Sequence, residues 1–337
     1  MGDSDDSTNS IMMDSKAFKA MQFYGDNYET LLFKSLGAKH GKHVLGTLPR
    51  HCRFCGKESP DVSFSNDAHA VPAFVGNKVL FSRYECNTCN DRFSEFEDDF
   101  AKMTMGDRAV GRVAKRKGFA SLKAKDKRSS WEHTPTGVLI KQYEEDGIFT
   151  LDPENSSLVV KHDTQPFRRL GVYKCLSKCA YTLLPDSELD NFTELREWLK
   201  EKDVETSKVY GDGNHLCLQT FVPGPKPFPD AIIALLKRKT EIYAPYLTFF
   251  IAFGNWTYQI FPPCPKKDVA FIGKTIPLIF YPHLYQLQPW LATSAIQSSM
   301  LGLDDPERRS EFKQVNMHVE VTAEAAPTSS PPSGGDR

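Results

Sequence analysis

Four cysteines in two Cys-x-x-Cys pairs, Cys52/Cys55 and Cys86/Cys89, have the spacing that most narrowly limits what they can do in this 337-residue chain. Each pair can fold its backbone around one edge of a tetrahedron, and the intervening segment closes the loop. Four thiolates so arranged predict a structural zinc ion. A redox dithiol is disfavoured, because two pairs in register are better explained by a metal. Between the pairs stand His69-Ala70-Val71-Pro72 and Asn77, and Asn90 follows the second pair at once.

The order Cys-x2-Cys, His-x-x-Pro, Asn, Cys-x2-Cys-Asn resembles the HNH endonucleases, in particular the zinc-stapled branch with Asn in the last position. The run Asn77-Lys78-Val79-Leu80 is similar to the matching loop of the HNH domain in CRISPR effector nucleases. The resemblance covers residues 50 to 103 or so, under a sixth of the chain. It implies a ββα-metal fold and phosphodiester hydrolysis, which needs a base for water, a cation for the developing charge and something to aim the base. Carried onto matching positions, it makes His69 the general base, Asn90 a ligand to a catalytic Mg²⁺ or Mn²⁺, and Asn77 the residue that holds the loop. The family usually has an acid directly before the base, and here that position is Ala68. Asp67 lies one residue further back, on the same face as His69 if the strand stays extended, and is the expected substitute ligand. Ser94 and Glu97 share the helical side of Asn90 and are weaker candidates for the outer shell of that ion.

The residues also define the elements that must position this chemistry. Val62-Ser63-Phe64-Ser65 alternates ahead of Pro72, and Leu80 to Tyr84 is a second apolar run, so two strands joined by a Gly76 loop are expected. Phe93, Phe96, Phe100 and Met103 then recur at helical spacing. So small a module buries little apolar surface, and zinc is expected to carry much of its stability. Simpler readings exist: Asn77 as a turn former, Asn90 as a helix cap, and Glu95, Glu97, Asp98 and Asp99 as a solvated helix face.

A formal net charge of −1 hides a local imbalance. Residues 101 to 130 hold ten Lys or Arg against two acids. This run predicts phosphate contacts through Lys102, Arg108, Arg112, Lys115, Arg116 and Lys117. The connector Lys39 to Arg50 is also basic. No stretch reads as an export signal or membrane span, and the cysteine pairs need reduced thiols, so a cytoplasmic protein is expected.

The expected fold class is α+β, a small zinc-stapled ββα-metal module followed by a larger mixed α/β domain. Residues 1–17 read as a disordered N-terminus and 18–49 as a short helix, over 18 to 36, with a basic linker. Residues 50–130 read as the nuclease module with its basic extension, 131–318 as a recognition or sensor domain, and 319–337 as a flexible tail. In the larger domain, strands are expected at 137–143, 147–151, 157–162, 247–253 and 257–261. An amphipathic helix is expected at Leu170 to Leu184, with Cys175 and Cys179 as core residues, and further helices at Glu194 to Lys202 and Pro229 to Lys239. The partner implied is DNA, with RNA left open, in a restriction or phage-defence setting. A homodimer would allow two-strand cutting, and the C-terminal domain could hold a regulatory ligand or partner. The rival reading is a non-catalytic zinc module that binds nucleic acid through the basic segment, and Ala68 is the feature that favours it.

Overall fold

The computed structural model describes residues 15–65, 67–115, 117–124, 128–134, 137–143, 147–201, 215–224, 227–271, 274–282 and 296–318. The expected flexible tail, and the N-terminal stretch up to residue 14, lie outside them. The chain enters on α1 (Ser15–Asn27), where Asn27 Nδ2 donates to the Phe23 carbonyl at 2.9 Å. It leaves the helix there and becomes β1 (Tyr28–Ser35). The single short helix expected over 18–36 is therefore a helix and a strand. The second half pairs antiparallel with a distant strand, and that pairing overrides local helix preference.

The cysteine module follows. Strands β2 (His43–Leu45), β3 (Ala68–His69) and β4 (Leu80–Ser82) form a sheet in the order β2-β4-β3. Helices α2 (Asn87–Met103) and α3 (Met105–Val110) come next. The apolar stripe is as read: Phe93, Phe96, Phe100 and Met103 are buried. The first strand is shorter than its alternation suggested. Residues 63 and 65 are tied instead to the start of α2, where the Asn87 N–H donates to the Ser63 carbonyl at 2.9 Å and Asn87 Oδ1 accepts the Ser65 N–H at 3.0 Å. A polar side chain that bonds backbone locally competes with strand pairing.

Beyond the module the chain is sheet-rich. Strands β5 (Leu122–Lys123), β6 (Ser130–His133) and β7 (Val138–Lys141) form one small sheet. Strands β8 (Phe149–Asp152) and β9 (Ser157–Asp163) belong to a second. Then come β10 (Phe167–Arg168), α4 (Arg169–Leu183) and α5 (Thr193–Lys200). Strands β11 (Leu216–Phe221), β12 (Phe228–Arg238), β13 (Leu247–Gly254) and β14 (Trp256–Ile260) are followed by α6 (Pro265–Asp268). The described chain ends with β15 (Gln297–Gly302), β16 (Arg308–Arg309) and β17 (Phe312–His318), the last pairing with β9. The main sheet has six strands in the order β1-β12-β13-β14-β11-β15, antiparallel throughout.

Two expectations in this region need correction. Residues 229–239, read as a helix, are strand β12. The continuous apolar run Ala231 to Leu236 has no period to separate a buried helix from a buried strand, and pairing on both sides with β1 and β13 decides it. Helix α4 is not amphipathic, since every residue from Leu170 to Leu183 is buried. It lies between α2 and strands β13 and β14, and a helix covered on all sides needs no polar face. Cys175 and Cys179 are core residues, as expected.

One apolar cluster runs from Leu36 through Phe93, Phe96 and Phe100 of α2 to α4 and on to Phe249 and Tyr258 of the main sheet. The module therefore shares its core with the sheet-rich region. Arg53, inside the first cysteine pair, adds a polar tie. It is buried, its guanidinium lies 3.6 Å from the Tyr84 ring centre, and it donates to the Thr182 and Leu184 carbonyls at 3.1 and 2.8 Å. It thus caps the orphaned carbonyls at the end of α4. No helix among the described residues is long and apolar enough to cross a membrane.

Candidate active site

The four sulfurs meet. A tetrahedral zinc with bonds of about 2.3 Å sets its sulfurs about 3.8 Å apart. Cys55 and Cys86 Sγ lie 3.8 Å apart, and all four Sγ lie within 4.8 Å of one another. None is in a disulfide. The hydrogen bond from Cys89 draws the Cys52 thiol well below its usual range. Burial pushes Cys86 up, and the bond with Cys52 together with burial pushes Cys89 up. The pocket favours the Cys52 thiolate and resists those of Cys86 and Cys89, and a dication removes that conflict. The donor set therefore fits zinc.

His69 stands on β3 opposite Phe81 of β4, its ring 4.6 Å from the phenyl ring, centre to centre. Half-buried, it is held below its ordinary value near 6.5 by desolvation; Glu97 opposes that shift and Lys178 adds to it. A neutral imidazole at neutral pH is competent as a base. Asn77 is buried at 2% exposure. Its Nδ2 donates to the carbonyls of Val71 at 2.7 Å and Leu80 at 2.9 Å. Its Oδ1 accepts from the N–H groups of Val79 at 3.2 Å and Leu80 at 2.9 Å. The carboxamide thus ties the end of the His69 segment to the start of β4, far beyond a simple turn former. Asn77→Ala is expected to cost roughly 2–4 kcal/mol, because four backbone groups each lose a hydrogen bond and, among the described residues, only the Leu80 carbonyl keeps another, from the Ala70 N–H at 3.3 Å. A denaturant midpoint that falls while zinc content holds would show it.

The acidic candidates fare differently. Asp67 is held by Arg50 at 2.8 Å, Lys42 at 3.2 Å and Arg83 at 3.8 Å. Desolvation pushes its carboxyl up more than any one neighbour pulls it down, but Lys42, Arg50 and Arg83 together keep it below the usual range. Its charge is already neutralised by three neighbours, which weakens it as a ligand. Asn90 is the fourth residue of α2, with Cys86 at the N-cap, so it is no cap, and its side chain is exposed. Ser94 spends its hydroxyl on the Asp91 carbonyl at 2.6 Å. Glu97 is half-buried and lies 3.5 Å from Lys178 Nζ.

The expected solvated face of α2 is only partly solvated. Asp99 is fully buried against Arg168 at 2.8 Å, with the Arg168 N–H at 3.1 Å. The basic run divides as well. Lys102 pairs with Asp98 at 2.6 Å, and Arg108 Nη2 caps Ala101 at 2.6 Å with its guanidinium 4.9 Å from the Phe74 ring centre. Arg112 lies 4.6 Å from the Phe119 ring centre and donates to Thr134 at 3.1 Å. Lys115 and Lys117 are exposed, and Arg116 lies outside the described residues.

Sequence reasoning missed Lys178. From α4, 93 positions after Glu85, it places a fully buried ammonium 2.9 Å from Glu85 Oε2, directly before Cys86. No local pattern announces a pair so far apart in sequence. The lysine inside a buried helix was the available signal.

Residues 52–105 match the model of a family described as HNH endonuclease. No curated protein and no solved structure matches the chain. The match spans the segment on which the four cysteines, His69, Asn77 and Asn90 stand, and residues 52–105 are an HNH endonuclease domain with a four-cysteine cluster.

Proposed function

We propose that this protein is a metal-dependent HNH endonuclease that hydrolyses phosphodiester bonds in DNA. The observation that carries the reading is Asn77. Its four hydrogen bonds fix the loop between the strand of His69 and the strand leading into α2, inside the segment that matches the nuclease family. His69 draws a proton from water, the resulting hydroxide adds to phosphorus, and the bond to the 3′ oxygen breaks. Asn77 keeps the imidazole's strand in place. Asn90 would hold the catalytic ion, and Asp67 would first have to leave its three cations. Mg²⁺ or Mn²⁺, when bound, neutralises charge on the phosphorane and the departing oxygen. Lys115 and Lys117 supply sequence-independent phosphate contacts. Residues 131–318 take the recognition or sensing role, and a cytoplasmic homodimer in restriction or phage defence completes the proposal.

His69→Ala is expected to lower cleavage of duplex DNA by about 10²–10⁴-fold. Cleavage that persists unchanged rejects the base. Burial depresses His69 below 6.5, so the neutral, active form survives to more acidic pH. The acid limb of the rate profile is expected below 6.5, and a limb above it contradicts the assignment. The second reading, a non-catalytic zinc module, is favoured by the ion pairs that occupy Asp67 and by Ala68. DNA binding without cleavage by the unaltered protein, with either metal, selects it.

A further inference from the structure

Between the Asn77 loop and the main sheet lies a cavity of about 260 Å³. Its walls come from the turn after β1, the β3–β4 loop, the segment after α3, and strands β12 and β13. That volume is just under the ~300 Å³ at which drug-sized ligand sites begin, room for one small ring system and one anionic group. The charged lining is Lys39, Lys78 and Arg112 against Asp230, which pairs with Lys39 at 3.4 Å. Lys78 is exposed. The rest of the wall is largely apolar, with Val113, Phe119 and Phe253 among its residues.

Arg112 makes this more than a basic crevice. Its φ is +51°, a left-handed conformation that costs a non-glycine residue about 1–3 kcal/mol and persists where the surroundings enforce it. The backbone so bent sets the guanidinium on the Phe119 ring. Nη2 is spent on Thr134, but Nε is buried with no acceptor among the described residues. A buried guanidinium N–H beside a cavity calls for an acceptor that the chain does not provide.

We propose that the cavity binds one nucleotide unit, its heterocycle against the apolar wall at Phe119 and its phosphate on Lys39, Lys78 and Arg112. Inorganic phosphate would leave that wall unused, and an uncharged aromatic would leave the cations unused. The unit can be a free mononucleotide or an unstacked nucleotide of a nucleic-acid strand. The proposal does not depend on His69 being the base.

The test is calorimetric titration of the full chain with AMP, with inorganic phosphate and with a short single-stranded oligodeoxynucleotide. AMP binding assigns the site to a free nucleotide, and binding of the strand alone assigns it to nucleic acid. Lys78→Glu, at an exposed position, is expected to weaken the ligand about tenfold or more through loss of a charge-assisted contact. Phe119→Leu, which keeps apolar bulk but removes the ring, is expected to weaken it about fivefold or more. The titrations score binding and not cleavage, so the nuclease reading can fail without this one. The proposal falls if neither nucleotide ligand binds, if phosphate binds as tightly as AMP, or if both cavity variants bind as the parent does.

Discussion

Cys52→Ser is expected to abolish stoichiometric zinc and to unfold the cysteine module. Strand β3 has two residues and β4 three, so neither can stand on pairing alone. Structural zinc in small domains supplies an apparent binding free energy on the order of 10 kcal/mol, comparable with the ~5–15 kcal/mol that separates a typical domain from its unfolded chain. Serine cannot replace the lost thiolate at neutral pH. Because Cys52, Phe93 and Phe96 belong to the same cluster as α4 and the main sheet, the damage should extend past residue 105. Elemental zinc analysis and thermal melting check the two halves of this expectation. A variant that holds one zinc per chain and melts with the parent would show that the cluster is four core thiols and no metal site. Chelation of the unaltered protein should give the same loss, reversed on adding zinc back.

What the sequence disclosed and what it hid divide by distance along the chain. The cysteine pairs and Asn77 were legible because each acts within its own segment: four ligands on two short turns, and a carboxamide that bonds residues no more than six positions away. The stripe from Phe93 to Met103 was legible for the same reason, since its period is local. Strand β12 was not, because only its neighbours β1 and β13 decide between two conformations of one apolar run. Charge misled most. Asp99 looks like one of four acids on a wet helix face until Arg168 arrives from 69 positions away and buries it. Arg108 reads as a phosphate contact, yet its guanidinium lies over the Phe74 ring and donates to the Ala101 carbonyl. A charge run reports composition, and only packing says which charges face water.

Lys178→Met carries the second large effect. The ammonium is 1% exposed, 2.9 Å from the fully buried Glu85 and 3.5 Å from Glu97. The contact with Glu85 is an ion pair without an aligned hydrogen bond, since both Glu85 oxygens lack such a partner among the described residues. Burial lowers the lysine's hold on its proton, but Glu85 and Glu97 more than reverse this and keep it charged. Removing one partner of a buried pair costs about 3–5 kcal/mol because the other charge is left uncompensated. Here the stranded charge is Glu85, the neighbour of Cys86, so the strain falls beside the zinc cluster and the strand of His69. Burial already raises Glu85, and without Lys178 nothing nearby opposes that rise. A carboxyl whose folded value exceeds its unfolded one stabilises the folded state as pH falls toward the unfolded value. The deficit of Lys178→Met should therefore be smaller at about pH 5 than at about pH 8. Adding Glu85→Gln should recover most of it, since a neutral pair of similar shape carries no stranded charge. Denaturation of the two variants at both pH values measures this, and a deficit that ignores pH and survives Glu85→Gln would place the lysine's role in packing alone.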